Sequence, residues 1–307
     1  MAVILLNIKA CGGRALQKWE SIESELRTFL GEFVTIIADD YSKEKLAQEI
    51  SHGEKFFIAA GGDGTVNFLL NSLAQCTNGT LANISIGAIG LGSSNDFHKP
   101  FLKNQNMRNI PCKIARETAE LRTIGSIKWS TGNISDQRLW INNASVGVTS
   151  EGNDLFNHPG RFLHWLKQVH TDTAILFTAV STILDYQNLE MMISANGAVA
   201  ENTLVTNLGV IFNPHFSGSF HYDTPHLIDS DFFFVHTIKD QRMLSTLQML
   251  VHLTKGKFQG LPHTNTIQAS QVSLQSRNEF AVEFDGETIR TNNVEFTLKQ
   301  KAIKICK

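Results

Sequence analysis

Residues 56–75, FFIAAGGDGTVNFLLNSLAQ, constrain the fold more than any other stretch of the chain. A short apolar run ends in two glycines and gives way, after Asp63-Gly64-Thr65, to Val66, Leu69, Leu70 and Leu73 at spacings of three and four. Five or six apolar residues stopped by glycine suit a strand buried on both faces of a parallel sheet, and the later spacing suits a helix lying on that sheet. Gly61, Gly62 and Gly64 allow positive φ and let backbone N–H groups approach an anion, and a helix start adds its own unpaired donors. The pattern therefore predicts strand, tight turn and helix, with a phosphate as the natural ligand. An ordinary βα turn capped by Asp63 or Thr65 would use the same residues.

A second segment, ISIGAIGLGSSNDF at 84–97, repeats the logic. Its apolar run stops at Gly90 and Gly92, and Ser93, Ser94, Asn95 and Asp96 follow as phosphate-facing groups or helix caps. Two such turns on one parallel sheet can face the same crevice at its carboxyl edge. Asp63 would repel a bare phosphate, a conflict removed by an intervening divalent cation or a proton-donating hydroxyl, as in phosphoryl transfer.

The remainder of the chain divides by texture. Up to about residue 123, strands at 2–8, 33–38, 56–60 and 84–90 alternate with helical stripes, among them Leu16, Trp19, Ile22, Leu26 and Phe29, so helices should cover both faces of a parallel sheet. From 124 onward short strands dominate (IGSIKW, RLWINNASVGVT, LEMMIS, TLVTNLGVIF, FFFVHTI, TIQASQVSL, EFAVEF and NVEFTL), interrupted by helices at about 160–185 and 241–254. That spacing predicts an antiparallel sandwich or barrel-like domain. Two domains fit 307 residues, 42% of them apolar. A net charge of -2 provides no field for nucleic acid. The four cysteines have no metal-type spacing and read as reduced cytosolic thiols. MAVILLNIK reads as a first strand, not a signal peptide, and Ala174 to Leu184 is too short to span a bilayer, which needs about 20 residues. The expectation is a cytoplasmic protein, soluble or peripheral at most at the inner membrane face.

GGDGTVN followed by IGLGSSNDF resembles the diacylglycerol kinase catalytic domain family, which includes bacterial lipid kinases, sphingosine kinases and ceramide kinases. The likeness continues through WINNASVGV, NPHFSGSFHYDTPHLIDSDFFFV and FDGE at 284–287. It implies a Rossmann-like, nucleotide-binding α/β domain made of residues 1–123 with 292–307, to which the last strand returns, and a mainly antiparallel β-sandwich acceptor domain at 124–291. It implies ATP and Mg2+ as cofactors and a lipid hydroxyl, such as that of diacylglycerol, as acceptor; a homodimer is compatible with it. Asn7, Lys9, Gly61, Gly62, Gly64, Thr65, Val66, Asn67, Ser93, Ser94 and Asn95 would then hold the nucleotide, with Arg14 an alternative cation to Lys9. Asp63 and Glu287 would be the catalytic acids, brought to one cleft, and Asp229 would hold magnesium with the carbonyls of His226 and Asp231. On residue chemistry alone Asp285-Gly286 is a hairpin signal and Glu287 a surface residue. Departures from the family pattern stand at Phe68, Ser94, His98, Lys99, Ser217, Ser219 and Ser230. An NAD kinase-like enzyme of soluble metabolites, favoured by GGDGT, and a binding protein that has lost catalysis are the alternatives.

Overall fold

Every residue from Ala2 to Leu6, the strand β1, is buried. Alternate side chains therefore meet cover on both faces, so β1 lies inside a sheet flanked by helices. In the computed structural model, all residues are described except 102–105, 132, 133, 161, 164 and 167–170, together with the side chains of 134, 171, 172, 175 and 176. The chain divides into two compact units, residues 1–124 with 299–307 and residues 125–298.

The first unit follows β1 with helix α1 (Ala15–Leu30), β2 (Phe33–Ile37), α2 (Ser42–Ser51), β3 (Phe56–Gly61), α3 (Asp63–Cys76) and β4 (Ser85–Gly90). Strand β1 pairs in parallel with β2 and β3, and β3 with β4. Short strands β5 (Asn106–Met107) and β6 (Ile110–Lys113) form a hairpin, and β6 runs antiparallel to β4. Helix α1 covers one face with Trp19, Ile22 and Leu26, packed with Ile4, Ile58 and Ile89. The helical stripe is narrower than predicted: Leu16 is 42% and Phe29 53% exposed, while Ala15 takes the buried position at the helix start. A helix needs only part of its circumference against a sheet, and the flanks of a broad apolar stripe stay in water.

The second unit begins within β7 (Glu120–Thr131), which forms a hairpin with β8 (Ile134–Trp140). It continues with β9 (Asn143–Gly147), α4 (Val148–Asn157), α5 (Thr171–Asp185), β10 (Leu189–Ala195) and β11 (Glu201–Ile211). After a small ribbon, β12 (His215–Phe216) and β13 (Phe220–His221), come β14 (Phe233–Lys239), α6 (Met243–Thr254), β15 (Thr264–Ala269), β16 (Gln271–Phe284) and β17 (Glu287–Ile305). The long helix expected at about 160–185 is represented by α5, and part of its range lies outside the described residues. Helix α4 starts inside a predicted strand, because Gly147 with φ 105 turns the chain out of β9.

An antiparallel sandwich or barrel-like domain was expected here; the strands are antiparallel, and the pairing gives one connected sheet rather than the two of a sandwich. Strands β15, β14, β11, β10, β16 and β17 are hydrogen-bonded in one antiparallel run, with β9 bridging β11 and β16 and β7 joining β17. Side chains from β7 through β17 share one core around Trp140, whose ring lies 4.8 Å from Phe212 and 6.2 Å from Phe233. A continuous sheet whose strands bury one common core must curl over it, as strand twist permits. Gly125 leaves space for that indole, because a Cβ there would strike the Trp140 ring. The end of β17 returns to the first unit, where Lys304 and Ile305 pair in parallel with Ser85 and Ile86 of β4. That return begins at Lys299 rather than 292.

Two buried histidines predict an acid-sensitive fold. His236, fully buried, shares hydrogen bonds with the Thr224 and Thr266 hydroxyls at 3.1 and 3.0 Å and stacks on Tyr222. Burial lowers its pKa to about 4, and burial with Lys113 nearby lowers that of His98 to about 3. In the unfolded chain both bind a proton near pH 6.5, so their contribution is full above that pH and is lost as pH falls toward 4. The loss should reach about 3 kcal/mol per group. Urea midpoints measured between pH 7.5 and 4.5 should fall steeply in the wild type and less steeply in His236→Gln.

Candidate functional site

The first loop starts where β3 ends. Gly62 is extended, with φ -98 and ψ -172, and α3 begins directly at Asp63, so Gly64 and Thr65 belong to its first turn. The predicted turn is thus shorter than the motif suggests. None of Gly61, Gly62 and Gly64 has positive φ; a different constraint acts on Gly61 and on Gly92 of the second loop. A Cβ on Gly61 would strike the Thr65 side chain, and a Cβ on Gly92 would lie 2.5 Å from the Cα of Gly62. The glycines permit close approach between two loops.

Two sets of contacts lock those loops together, and a third shapes the second loop. Leu91 and Gly92 both donate their N–H to the carbonyl of Gly61, at 2.8 and 3.1 Å. The Asp63 carboxylate accepts the N–H of Asp96 at 3.1 Å and of Phe97 at 2.8 Å. Asn95, buried and left-handed at φ 51, accepts the Gly92 N–H through Oδ1 and donates Nδ2 to the carbonyls of Gly90 and Gly92. Asn95 thus shapes its own loop, whereas Ser93 is exposed and Ser94 half-buried.

The loop after β1 joins the same assembly. Asn7 donates Nδ2 to Thr65 Oγ1 at 3.1 Å and accepts the N–H of Lys9 at 3.1 Å. Lys9 and Arg14 are exposed. The cation that meets the loops is Lys18, whose Nζ donates to the carbonyls of Leu91 and Gly92 at 3.4 and 3.3 Å. Sequence reading passed over Lys18 because it lies beyond the motif, although its place in the first turn of α1, four residues after Arg14, was the available signal. Val66 is core, and Asn67 is buried with its Oδ1 accepting from Asn71 inside α3. These two therefore support the helix rather than line the loop.

Asp63→Asn should separate a latch from a surface charge. It replaces one acceptor oxygen by an amide that faces a backbone donor, and lost charge-assisted bonds of this kind cost about 2–3 kcal/mol. A lower melting temperature with faster amide exchange at 96 and 97 is expected; unchanged exchange there would contradict the latch.

In the second unit the FDGE motif forms the turn of the β16–β17 hairpin, with Asp285 and Gly286 at φ 47 and 91. Asp285 is more than a turn former. Its buried carboxylate accepts the N–H groups of Ile141, Asn142 and Asn143 at 2.6, 2.8 and 3.3 Å. Glu283 accepts the Gly286 N–H and the Ser145 hydroxyl, and Asn157 of α4 donates to the Gly286 carbonyl. Glu287 is the first residue beyond this clamped turn. Its side chain is exposed, and partial desolvation nevertheless raises its pKa above the ordinary carboxylate range, opposed by Arg138. A carboxyl with a raised pKa, placed next to a clamped turn, suits proton transfer.

Asp229 and Asp231 are exposed and His226 half-buried, in a segment without regular structure. Among the described residues no three His, Cys, Asp or Glu side chains converge on a metal position, so the three side chains do not make a ligand cluster. One carboxylate, two backbone carbonyls and retained waters form a donor set that suits Mg2+, an oxygen-seeking ion that keeps part of its hydration.

A parallel sheet carrying two interlocked glycine loops at a helix start is the build of a phosphate-binding α/β domain. Residues 1–127 match the sequence model of the family Diacylglycerol kinase catalytic domain, and the resemblance noted from the motifs is borne out over that stretch. Among curated proteins, human mitochondrial acylglycerol kinase is 32% identical over 108 residues, 34% of this chain and 26% of that protein. The chain thus matches about a quarter of that relative's length. A solved diacylglycerol kinase structure from Bacillus anthracis str. Sterne superposes with TM-score 0.66 at 15% identity, over 99% of this chain and 96% of that one. An NAD kinase from Archaeoglobus fulgidus in complex with ATP superposes with TM-score 0.50 at 10% identity, over 100% and 94%. At these identities the structural likeness shows the fold alone.

Proposed function

We propose that this protein is an ATP- and magnesium-dependent lipid kinase that moves the γ-phosphoryl group to a hydroxyl of a lipid such as diacylglycerol. The observation that carries the reading is the interlocked pair of glycine loops at the start of α3, in a stretch matching the diacylglycerol kinase catalytic domain. In this reading the donors around Gly62, Gly64 and Thr65, with Ser93 and Ser94, take the nucleotide phosphates, and Lys18 supplies the nearby positive charge. Because the Asp63 carboxylate is already engaged by two backbone N–H groups, its part is to set the loops, and Glu287 takes the proton of the acceptor hydroxyl. Magnesium, held by Asp229 with the carbonyls of His226 and Asp231, would neutralise phosphate charge.

A lipid acceptor agrees with the apolar side chains that the second unit leaves in water. Phe162, Trp165 and Phe177 form an aromatic cluster and are 58%, 55% and 41% exposed, and Leu184 is 57% exposed. Among the described residues no helix is long and apolar enough to cross a membrane, so the membrane contact in this reading is peripheral. Calorimetric titration with ATP, with and without Mg2+, tests the cofactor assignment. Wild type should bind ATP more tightly with Mg2+ present, and Asp229→Asn should lose most of that gain; equal gains in both proteins would remove Asp229 from the site.

A further inference from the structure

Behind the second loop, the first unit buries more positive charge than it pairs. His98, Lys99, Lys113 and Arg122 are 4%, 7%, 8% and 9% exposed. Asp96 pairs with Lys99 at 2.7 Å. Lys113 donates Nζ to the Phe97 carbonyl at 3.0 Å and lies over the Phe97 ring, but among the described residues it meets no carboxylate. Arg122 is more isolated. Among the described residues its guanidinium makes no hydrogen bond or ion pair, and its Nε is sealed from solvent without a partner. Glu120 is near enough to attract the guanidinium but makes no ion-pair contact with it, and is itself paired with Lys307. Lys113 and Arg122 are close enough to repel one another, and Lys113 also acts on His98, whose Nδ1 is a second sealed atom without a partner.

Leaving a guanidinium buried and unpaired is expensive, and a buried cation is ordinarily compensated by an anion. We propose that Arg122 and Lys113 form an anion site that takes a phosphate group, distinct from the glycine loops of the first unit. A guanidinium fork binds two oxygens of a phosphate at once, and a neighbouring ammonium adds a third contact to a dianion. Phe97 couples the site to the loops: its carbonyl accepts from Lys113 and its N–H donates to Asp63. Phosphate bound there would hold Phe97, and through it the latch between the loops. One of the departures from the family pattern, His98, lies close enough to Lys113 to feel its charge. The anion site's role as a second phosphate site beside a nucleotide rests on the kinase reading, but its existence does not.

The ligand's phosphate can be inorganic or the monoester headgroup of a lipid, and two arms separate these. In the first, the melting temperature of the full chain is followed against inorganic phosphate at constant ionic strength, with chloride as the control. A saturable rise of about 5 °C is expected at a hundredfold excess over Kd. Arg122→Gln and Lys113→Gln should abolish the rise, whereas Gly62→Val, which crowds the glycine loops, should retain it. In the second, co-sedimentation compares phosphatidylcholine vesicles with and without phosphatidic acid. Binding that needs both phosphatidic acid and Arg122, with no response to inorganic phosphate, assigns the site to the headgroup. A rise lost in Gly62→Val but kept in Arg122→Gln places the phosphate on the glycine loops and overturns the proposal. So does the absence of any Arg122-dependent effect in both arms. Should Arg122→Gln not fold, Lys113→Gln and Arg122→Lys, which keeps charge but loses the fork, give the same discrimination. None of these readouts uses turnover, so failure here and failure of the kinase reading are distinguishable.

Discussion

Glu287→Gln is expected to lower phosphoryl transfer by about a hundred to ten thousand-fold while leaving ATP affinity within error of the wild type. A positioned general base contributes rate of that order and little to the binding of the other substrate. The amide keeps the size of the side chain and removes its basicity. The scaffold around it should not respond, because the turn is held by Asp285, through three backbone N–H groups, and by Glu283, not by Glu287 itself. Desolvation sets the Glu287 pKa above the ordinary carboxylate value. The carboxyl must be ionised to accept a proton, so the rate should rise with pH through that raised pKa and then level off. Initial rates from pH 5 to 8, with parallel calorimetry of ATP binding, check both halves. Near-normal turnover in Glu287→Gln would leave Glu287 as an ordinary hairpin residue.

The second large effect is expected from one methyl group. Gly92→Ala would set a Cβ 2.5 Å from the Gly62 Cα, a contact with backbone that no side-chain movement relieves. The loops must then separate, stretching the bonds from Leu91 and Gly92 to the Gly61 carbonyl. Overpacking of this kind costs about 1–3 kcal/mol. If the binding-competent loop arrangement bears that cost, ATP affinity should fall by about five- to 150-fold. The variant should remain folded, because its strain is confined to the loop crossing. Wild-type ATP affinity in Gly92→Ala would mean that the crossing is not where the nucleotide binds.

Much of this was legible in the chain, for identifiable reasons. Buried parallel strands write themselves as apolar runs, so β3 and β4 were read within a residue of their ends and β1 within two. Asp285-Gly286 forms the positive-φ turn that such a pair signals. Partnerships over long range were not legible. Asp63 finds its N–H donors 33 and 34 residues later, and Asp285 finds its own more than 140 residues earlier. No local pattern encodes either. The glycines were recognised but for another reason than the one that acts: permissive φ is a local property, whereas the approach of Gly92 to Gly62 belongs to the fold. The choice between sandwich and barrel-like sheet in the second unit stayed open because alternation reports which face is buried and not which strand lies alongside. Lys18 and Arg122 were missed because a lone cation carries no signal until its neighbours are known.

The most direct measurement of the central claim is transfer of label from γ-labelled ATP to diacylglycerol in mixed micelles with Mg2+, run beside monoacylglycerol, sphingosine, ceramide and NAD. The account predicts a labelled lipid phosphomonoester whose formation requires Mg2+, falls at least a hundredfold in Glu287→Gln and exceeds any labelling of NAD. Labelling of NAD alone, or binding of ATP with no transfer to any lipid hydroxyl, would contradict it.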